Sequence, residues 1–149
     1  MRAVVQRVLK AEVAVDGKTI GRIEKGILVY FGVHKDDSDK DLDYILDKVV
    51  NLRIFSDADG KMNLSLLDVG GDILAVSQFT LYGDARKGRR PSYGDAAGNE
   101  KGIMYYQRFV DGLKAKGVNT QTGQFGADMQ VSYTNDGPVT ILLDSFKEF

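Results

Sequence analysis

The first third of the chain sets short apolar runs between polar pairs, in the manner of strands. Val4, Val5 and Val8 fall in one run. Glu12-Val13-Ala14-Val15 leads into Asp16-Gly17, a dipeptide that accepts the positive φ angles of a tight hairpin, and the chain returns through Thr19-Ile20. Gly26-Ile27-Leu28-Val29-Tyr30-Phe31-Gly32-Val33 is apolar throughout and predicts a strand buried on both faces. The rhythm then becomes helical. Leu42, Ile45, Leu46, Val49 and Val50 share one face, with Ser38 as N-cap and Asp41 completing a variant capping box.

Arg53-Ile54-Phe55 returns as a strand, and Asp57-Ala58-Asp59-Gly60 reads as a turn. Its glycine comes two positions too early for a calcium loop, so no metal is expected there. Ile73 to Ser77 predicts another buried strand, running into Gln78-Phe79-Thr80-Leu81. Gly83 to Gly98 is glycine-rich and polar, a long loop of the kind that is usually functional or mobile. A second helix is predicted over Glu100 to Lys116, with Ile103, Tyr106, Val110 and Leu113 inward and Gly117 as its stop. Asn119 to Gly123 reads as a loop. Met129, Val131 and Tyr133 alternate as a strand, and Val139 to Leu143 closes the core. The order β-β-β-α-β-β-α-β-β predicts a mixed α/β fold. Two mixed sheets pack together with two helices on one outer side, in β/β/α layers. One domain is expected over residues 1–149, with no repeat or linker.

Composition narrows the chemistry. With no cysteine, there is no disulfide framework, no thiolate zinc site and no cysteine nucleophile. Twenty basic residues against 21 acidic ones leave a net charge of −1, unlike a protein that coats long nucleic acid. Any nucleic-acid partner must therefore be held locally. No apolar run approaches the ~18 residues of a membrane span. The N-terminal residues go straight into strand-like sequence without a signal-peptide pattern, so a cytoplasmic protein with no membrane partner is expected.

Common catalytic signatures are missing. There is no G-x-S-x-G elbow, no P-loop and no G-x-G-x-x-G. The one histidine, His34, is either a loop-edge residue or a base awaiting a partner. With so few ligand residues, neither a metal nor another cofactor is expected. Two segments stand out. Ser77-Gln78-Phe79-Thr80-Leu81 ends a strand in hydrogen-bonding side chains, which either satisfy local backbone groups or serve a site. Asn135-Asp136-Gly137-Pro138-Val139-Thr140 is rich in turn formers and reads by itself as a turn. Arg86-Lys87-Gly88-Arg89-Arg90 is the dense basic cluster, either a solvated loop or a phosphate-binding one.

Taken together, these strings resemble the D-aminoacyl-tRNA deacylase family. Ser77 to Leu81 matches its S-Q-F-T-L motif and Asn135 to Thr140 its N-D-G-P-V-T motif. Gln6-Arg7-Val8, Gly60 to Leu64, Arg90-Pro91-Ser92, Asn119 to Gly123 and Phe125 to Val131 match as well, so the resemblance spans essentially the whole chain.

The resemblance implies hydrolysis of the ester joining a D-amino acid, or mischarged glycine, to the terminal adenosine of tRNA. Ser77, Gln78, Phe79 and Thr80 are the implied catalytic residues. Backbone groups would line the reacting carbonyl, with help from the adenosine 2′-hydroxyl. Thr80 is the tempting nucleophile but has no evident base partner. Gly137, Pro138, Met129, Ala127 and Arg7 are the implied substrate-binding residues. The Gly137-Pro138 pair, cis in the family, would hold the substrate ammonium and enter the active site of a partner subunit, which implies a homodimer. Arg86, Lys87, Arg89 and Arg90 are the tRNA-binding candidates. Two rivals remain open. One is a non-catalytic module that binds aminoacyl-tRNA ends. The other is an esterase that uses a side-chain nucleophile on small esters.

Overall fold

The computed structural model describes residues 1–149. Strand β1 (Arg2–Val15) turns at Asp16-Gly17, where φ is 50° and 75°. Both values are positive, as the tightest hairpin turns require. The chain returns as β2 (Lys18–Ile23) and β3 (Gly26–Gly32), which share a single antiparallel register along β1, from Gly21 opposite Val13 to Gly32 opposite Arg2. Helix α1 (Asp39–Asn51), strands β4 (Phe55–Ser56) and β5 (Met62–Leu64), and the short helix α2 (Leu66–Val69) follow. Next come β6 (Asp72–Ser77), one turn of 3-10 helix (Phe79–Tyr82), α3 (Asn99–Ala115), β7 (Thr120–Thr122) and β8 (Gln130–Asp144).

The main sheet has six strands and is mixed, as expected. β8 and β2/β3 flank β1 antiparallel, while β3, β6 and β7 run parallel to one another. β4 and β5 form a small second sheet. Helices α1 and α3 cover one face of the main sheet. Their buried residues join β1, β3 and β6 in a core of 24 residues, where the Phe31 and Phe109 rings stack at 4.2 Å. The other face carries a smaller core of Val8, Ala11, Val13, Ile23, Leu28, Leu74 and Val76. The sheet curls there, bringing β2 over β6 and β7. A side-chain carbon on Gly21 would stand 2.6 Å from the Thr122 carbonyl oxygen, so only glycine permits this approach. The sheet-on-sheet layering therefore comes largely from one sheet folding over itself.

Helix α1 follows the predicted face, and the Asp41 carboxylate accepts from the Ser38 amide at 2.8 Å and its hydroxyl at 2.9 Å. Helix α3 differs in detail. Tyr105, Tyr106, Phe109, Val110 and Leu113 turn inward, while Ile103 is exposed. Ile103 lies about a third of a turn from the stripe centred on Phe109. Arg53-Ile54 is not strand, because the Ile54 carbonyl accepts from Arg7 Nη1 at 2.6 Å instead of from a neighbouring strand. Thr120–Thr122, read as loop, is the edge strand β7. Asn135 to Val139 does not separate two strands. It lies inside β8, because β1 is long enough to pair with both halves.

Candidate active site

Two parallel strands end at one place. Gly32 closes β3 and Ser77 closes β6, and these two carboxyl ends, with the segment that follows β7, border a cleft of about 510 Å³. Open sheets commonly bind ligands outside the carboxyl ends of parallel strands. Phe31 reaches it from β3 and Val33 from just past that strand's end, and Ser77, Gln78 and Phe79 from the end of β6. The segment after β7 adds Phe125, Gly126, Ala127 and Met129. Tyr93, Ala96, Ala97, Asn99 and Gly102 complete the wall. Helix α3 is tied to the site because the buried Tyr106 hydroxyl donates to the Ala75 carbonyl at 2.7 Å. Burial pushes that phenol up to about 12.

The strand stops at Ser77 because the chain turns. Gln78 N–H still donates to the Phe31 carbonyl at 2.8 Å, but Leu81 N–H already bonds back to Gln78 at 3.4 Å. Phe79 and Thr80 therefore open a helical turn, where N–H groups have no acceptor within the turn. The Gln78 side-chain amide donates to the Thr80 hydroxyl. Thr80 itself is exposed and does not line the cleft. No lining side chain carries a charge, so the cleft offers hydroxyls, amides and backbone rather than an acid–base pair. His34 lies elsewhere, with its ring edge-on to Tyr82 and Phe146 at 5.2 and 5.0 Å.

Arg7, Gly137 and Pro138 do not join the cleft. Gln6 faces Thr140 and Val8 faces Asn135, so Asp136 to Val139 bulge out opposite the single residue Arg7. The Gly137-Pro138 bond in this bulge is cis, as the resemblance implies. Asn135 Nδ2 closes the bulge by donating to the Arg7 carbonyl at 2.9 Å and the Val139 carbonyl at 3.0 Å. Thr140 donates to Asn135 Oδ1 at 3.3 Å and accepts from Gln6 at 3.2 Å. The mostly buried Arg7 side chain lies beneath. Its Nε stands 3.0 Å from the Asp136 carboxylate as an ion pair without hydrogen-bond alignment. Gly137 has φ +114°, and a side-chain carbon there would meet Arg7 Nη2 at 3.0 Å. Gly137 and Pro138 are exposed.

The basic cluster forms a third locus. Asp84 and Ser92 exchange two backbone hydrogen bonds, at 2.8 and 2.9 Å, and close a loop whose tip is Arg86 to Arg90. Arg86 folds back on Asp84 through Nε at 2.9 Å and Nη2 at 2.8 Å. These hydrogen bonds hold the Asp84 carboxyl down at about 2 and push the Arg86 guanidinium up. Lys87, Arg89 and Arg90 are exposed and free of ion pairs.

Sequence reasoning singled out Ser77, Gln78, Phe79, Ala127 and Met129 in the cleft. It named neither Tyr93 nor Phe125 as a site residue, although Tyr93 directly follows one matched string and Phe125 opens another.

A family model described as D-Tyr-tRNA(Tyr) deacylase matches residues 4–144. Relatives named D-aminoacyl-tRNA deacylase include those of Fervidobacterium nodosum, 61% identical, and Clostridioides difficile, 60% identical, each over all of both chains. Among solved structures, one described as a c-Myc DNA Unwinding Element Binding Protein has a TM-score of 0.91 at 42% identity. It covers 97% of this chain and 98% of its own. One described as a probable eukaryotic D-amino acid tRNA deacylase has a TM-score of 0.80 at 22% identity, covering 95% of this chain and 97% of its own, a likeness of fold alone.

Proposed function

The chain belongs to the D-Tyr-tRNA(Tyr) deacylase family, and on that premise we propose that it hydrolyses the ester of D-aminoacyl-tRNA, releasing a D-amino acid and free tRNA. The observation that carries this reading is the uncharged cleft at the strand ends, lined by Phe79, the residue that opens the Phe79–Tyr82 turn. An aminoacyl ester is already activated. Its hydrolysis needs a positioned water and donors aimed at the developing oxyanion more than it needs a strong protein nucleophile. The N–H groups of Phe79 and Thr80 are those donors in this reading, with Ser77 and Gln78 positioning them. The adenosine 2′-hydroxyl assists attack, and no acyl group passes through Thr80, whose hydroxyl is exposed outside the cleft and accepts from the Gln78 amide rather than donating to a base.

Met129 and Ala127 shape the floor under the substrate. Gly137 and Pro138 are exposed and stand outside their own chain's cleft, which fits delivery to a second subunit in a two-fold homodimer. There the pair holds the substrate ammonium through carbonyl groups, with Arg7 bracing the bulge from behind. With amine and ester carbon both fixed, a D side chain points outward and an L side chain meets backbone. Glycine has no side chain to reject, so glycyl-tRNA is also cut. Lys87, Arg89 and Arg90, with Arg86 at the base of the tip, hold tRNA phosphates. No helix is long and apolar enough to cross a membrane, and a translation-proofreading role fits the cytoplasm. Release of D-tyrosine and L-tyrosine from one tRNA tests the reading. Multiple turnover on the D ester with the L ester spared supports it, and equal release of both would sink it. Binding without turnover would favour the end-binding module.

A further inference from the structure

Two aromatic rings stand open at the mouth of the cleft. Phe79 is 56% exposed and Tyr93 is 41% exposed, and the rings meet edge-to-face with centroids 5.1 Å apart and planes at 69°. A single exposed ring is ordinary on a protein surface, but two rings in contact at the mouth of a cleft form one shared apolar face. Both line the cleft, so one part of each faces inward and the rest faces outward. Tyr93 is held in place. Its Cε1 lies against Gly83, where an added side-chain carbon would come to 3.2 Å from the ring and 3.0 Å from the Thr80 carbonyl oxygen.

The surroundings select a partner. Tyr93 directly follows Ser92, whose hydrogen bonds with Asp84 close the basic loop. The unpaired cations Lys87, Arg89 and Arg90 therefore rise from the same base as the aromatic pair. Inside the cleft no side chain carries a charge, so the phosphates of a bound strand find their cations outside, on the loop side. An aromatic face beside free cations is the combination that binds unpaired nucleotides. Bases stack on the ring, and the backbone tracks the positive charge.

We propose that Tyr93, with Phe79 against its edge, is the stacking platform for the base of the nucleotide immediately 5′ of the terminal adenosine. The ligand is the unpaired 3′ strand of tRNA, and the inference rests on the deacylase reading of the cleft. When the terminal adenosine enters the uncharged cleft, the next phosphate must stay outside it, and the next base falls at the mouth. Stacking there fixes the strand's direction without reading its sequence.

The test removes each partner of the stack separately and together. The substrates are D-tyrosyl-tRNA intact and D-tyrosyl-tRNA abasic at the penultimate nucleotide. For the wild-type protein, loss of that base raises KM about tenfold with little change in kcat, within the range for one stacked base. Tyr93→Ala raises KM on the intact substrate by a similar factor, and on this variant the abasic change adds nothing. Tyr93→Phe, which keeps the ring, retains the abasic penalty that Tyr93→Ala loses. An equal abasic penalty in wild type and Tyr93→Ala, or no penalty in either, overturns the platform. A wild-type protein that leaves intact D-tyrosyl-tRNA unhydrolysed overturns the deacylase reading itself, a separate result.

Discussion

The cleft and the β8 bulge are built in opposite ways. The cleft gathers the ends of two parallel strands and the segment after a third, and lines them with uncharged groups, so its shape follows from how β3, β6 and β7 terminate. The bulge sits within the edge strand β8 and is held by a polar network of Arg7, Asn135, Asp136 and Thr140. Core packing fixes the first, and hydrogen bonds and one cation fix the second. The cleft offers hydroxyls, amides and backbone but no carboxylate to pair with an ammonium, whereas the bulge exposes Gly137 and Pro138 outside the cleft of their own chain. On the deacylase reading proposed above, these are two halves of one site carried on different parts of a chain, and mixing variants that lack one half each tests whether a second copy joins them.

The largest effect comes from separating the halves. Gly137→Ala places a carbon 3.0 Å from Arg7 Nη2 and 2.9 Å from Val139 Cγ2 at a φ of +114°, so it should disable the bulge. Ala127→Trp should fill the cleft. Each variant should deacylate at background level. Mixed as subunits, half of the dimers are hybrids with one intact site, so about a quarter of wild-type activity returns. Persistent inactivity of a verified hybrid would show that the bulge does not serve the partner's cleft.

Arg7 sharpens the contrast at the next level. Arg7→Ala leaves the Ile54 carbonyl and the Asp136 carboxylate without their cation. A hydrogen bond to a charged group contributes roughly 1.5–3 kcal/mol, so chemical denaturation should show a loss of about 2 kcal/mol. Deacylation should fall by at least tenfold, because the bulge loses its brace. An unchanged rate would mean that Asn135 alone holds Gly137 and Pro138 in place.

The two halves were also unequally legible in the sequence. Periodicity gave α1 with its cap, the Asp16-Gly17 hairpin and the buried run of β3, because each is a local pattern that the core then uses. It could not join Ser77-Gln78-Phe79 to Ala127 and Met129, since that meeting depends on strand order, and only the family resemblance grouped them. β7 was missed because Thr120, Gln121 and Thr122 show no apolar alternation, and their pairing with Ile73, Leu74 and Ala75 is what makes them strand. The bulge read as a turn because Asn135 to Val139 carries turn residues. Its place inside β8 is set by β1, far away in sequence. Tyr93 gave no signal because nothing in its neighbours says that its ring stays at the surface.

The basic loop contributes less than either half. Arg89→Glu with Arg90→Glu should raise KM for D-tyrosyl-tRNA about tenfold at low salt and flatten its salt dependence, since each lost phosphate contact removes counterion release. Thermal stability should hold, because the loop lies outside both cores. Wild-type behaviour across a salt series would leave the loop as a solvated face.

The smallest effect lies within that loop and is read by pH. Hydrogen bonds from Arg86 hold the Asp84 carboxyl at about 2, below the usual 3.8. A depressed carboxyl stabilises the folded arrangement fully above its unfolded value and loses that contribution as pH falls toward the folded one. The clamp is therefore complete at neutral pH and opens only between about 4 and 2. Both groups are exposed, so the gain in stability is slight and the effect is local. In NMR spectra the Arg86 Nε proton should titrate with a midpoint near 2 in the wild-type protein, and this step should vanish in Asp84→Asn. At neutral pH the same substitution removes one negative charge and frees Arg86, so tRNA should bind slightly more tightly at low salt, by no more than about threefold. If Asp84→Asn instead weakens binding, Asp84 serves the RNA by presenting Arg86 in a fixed pose, and the loop belongs with the two built halves of the site rather than with the solvated surface.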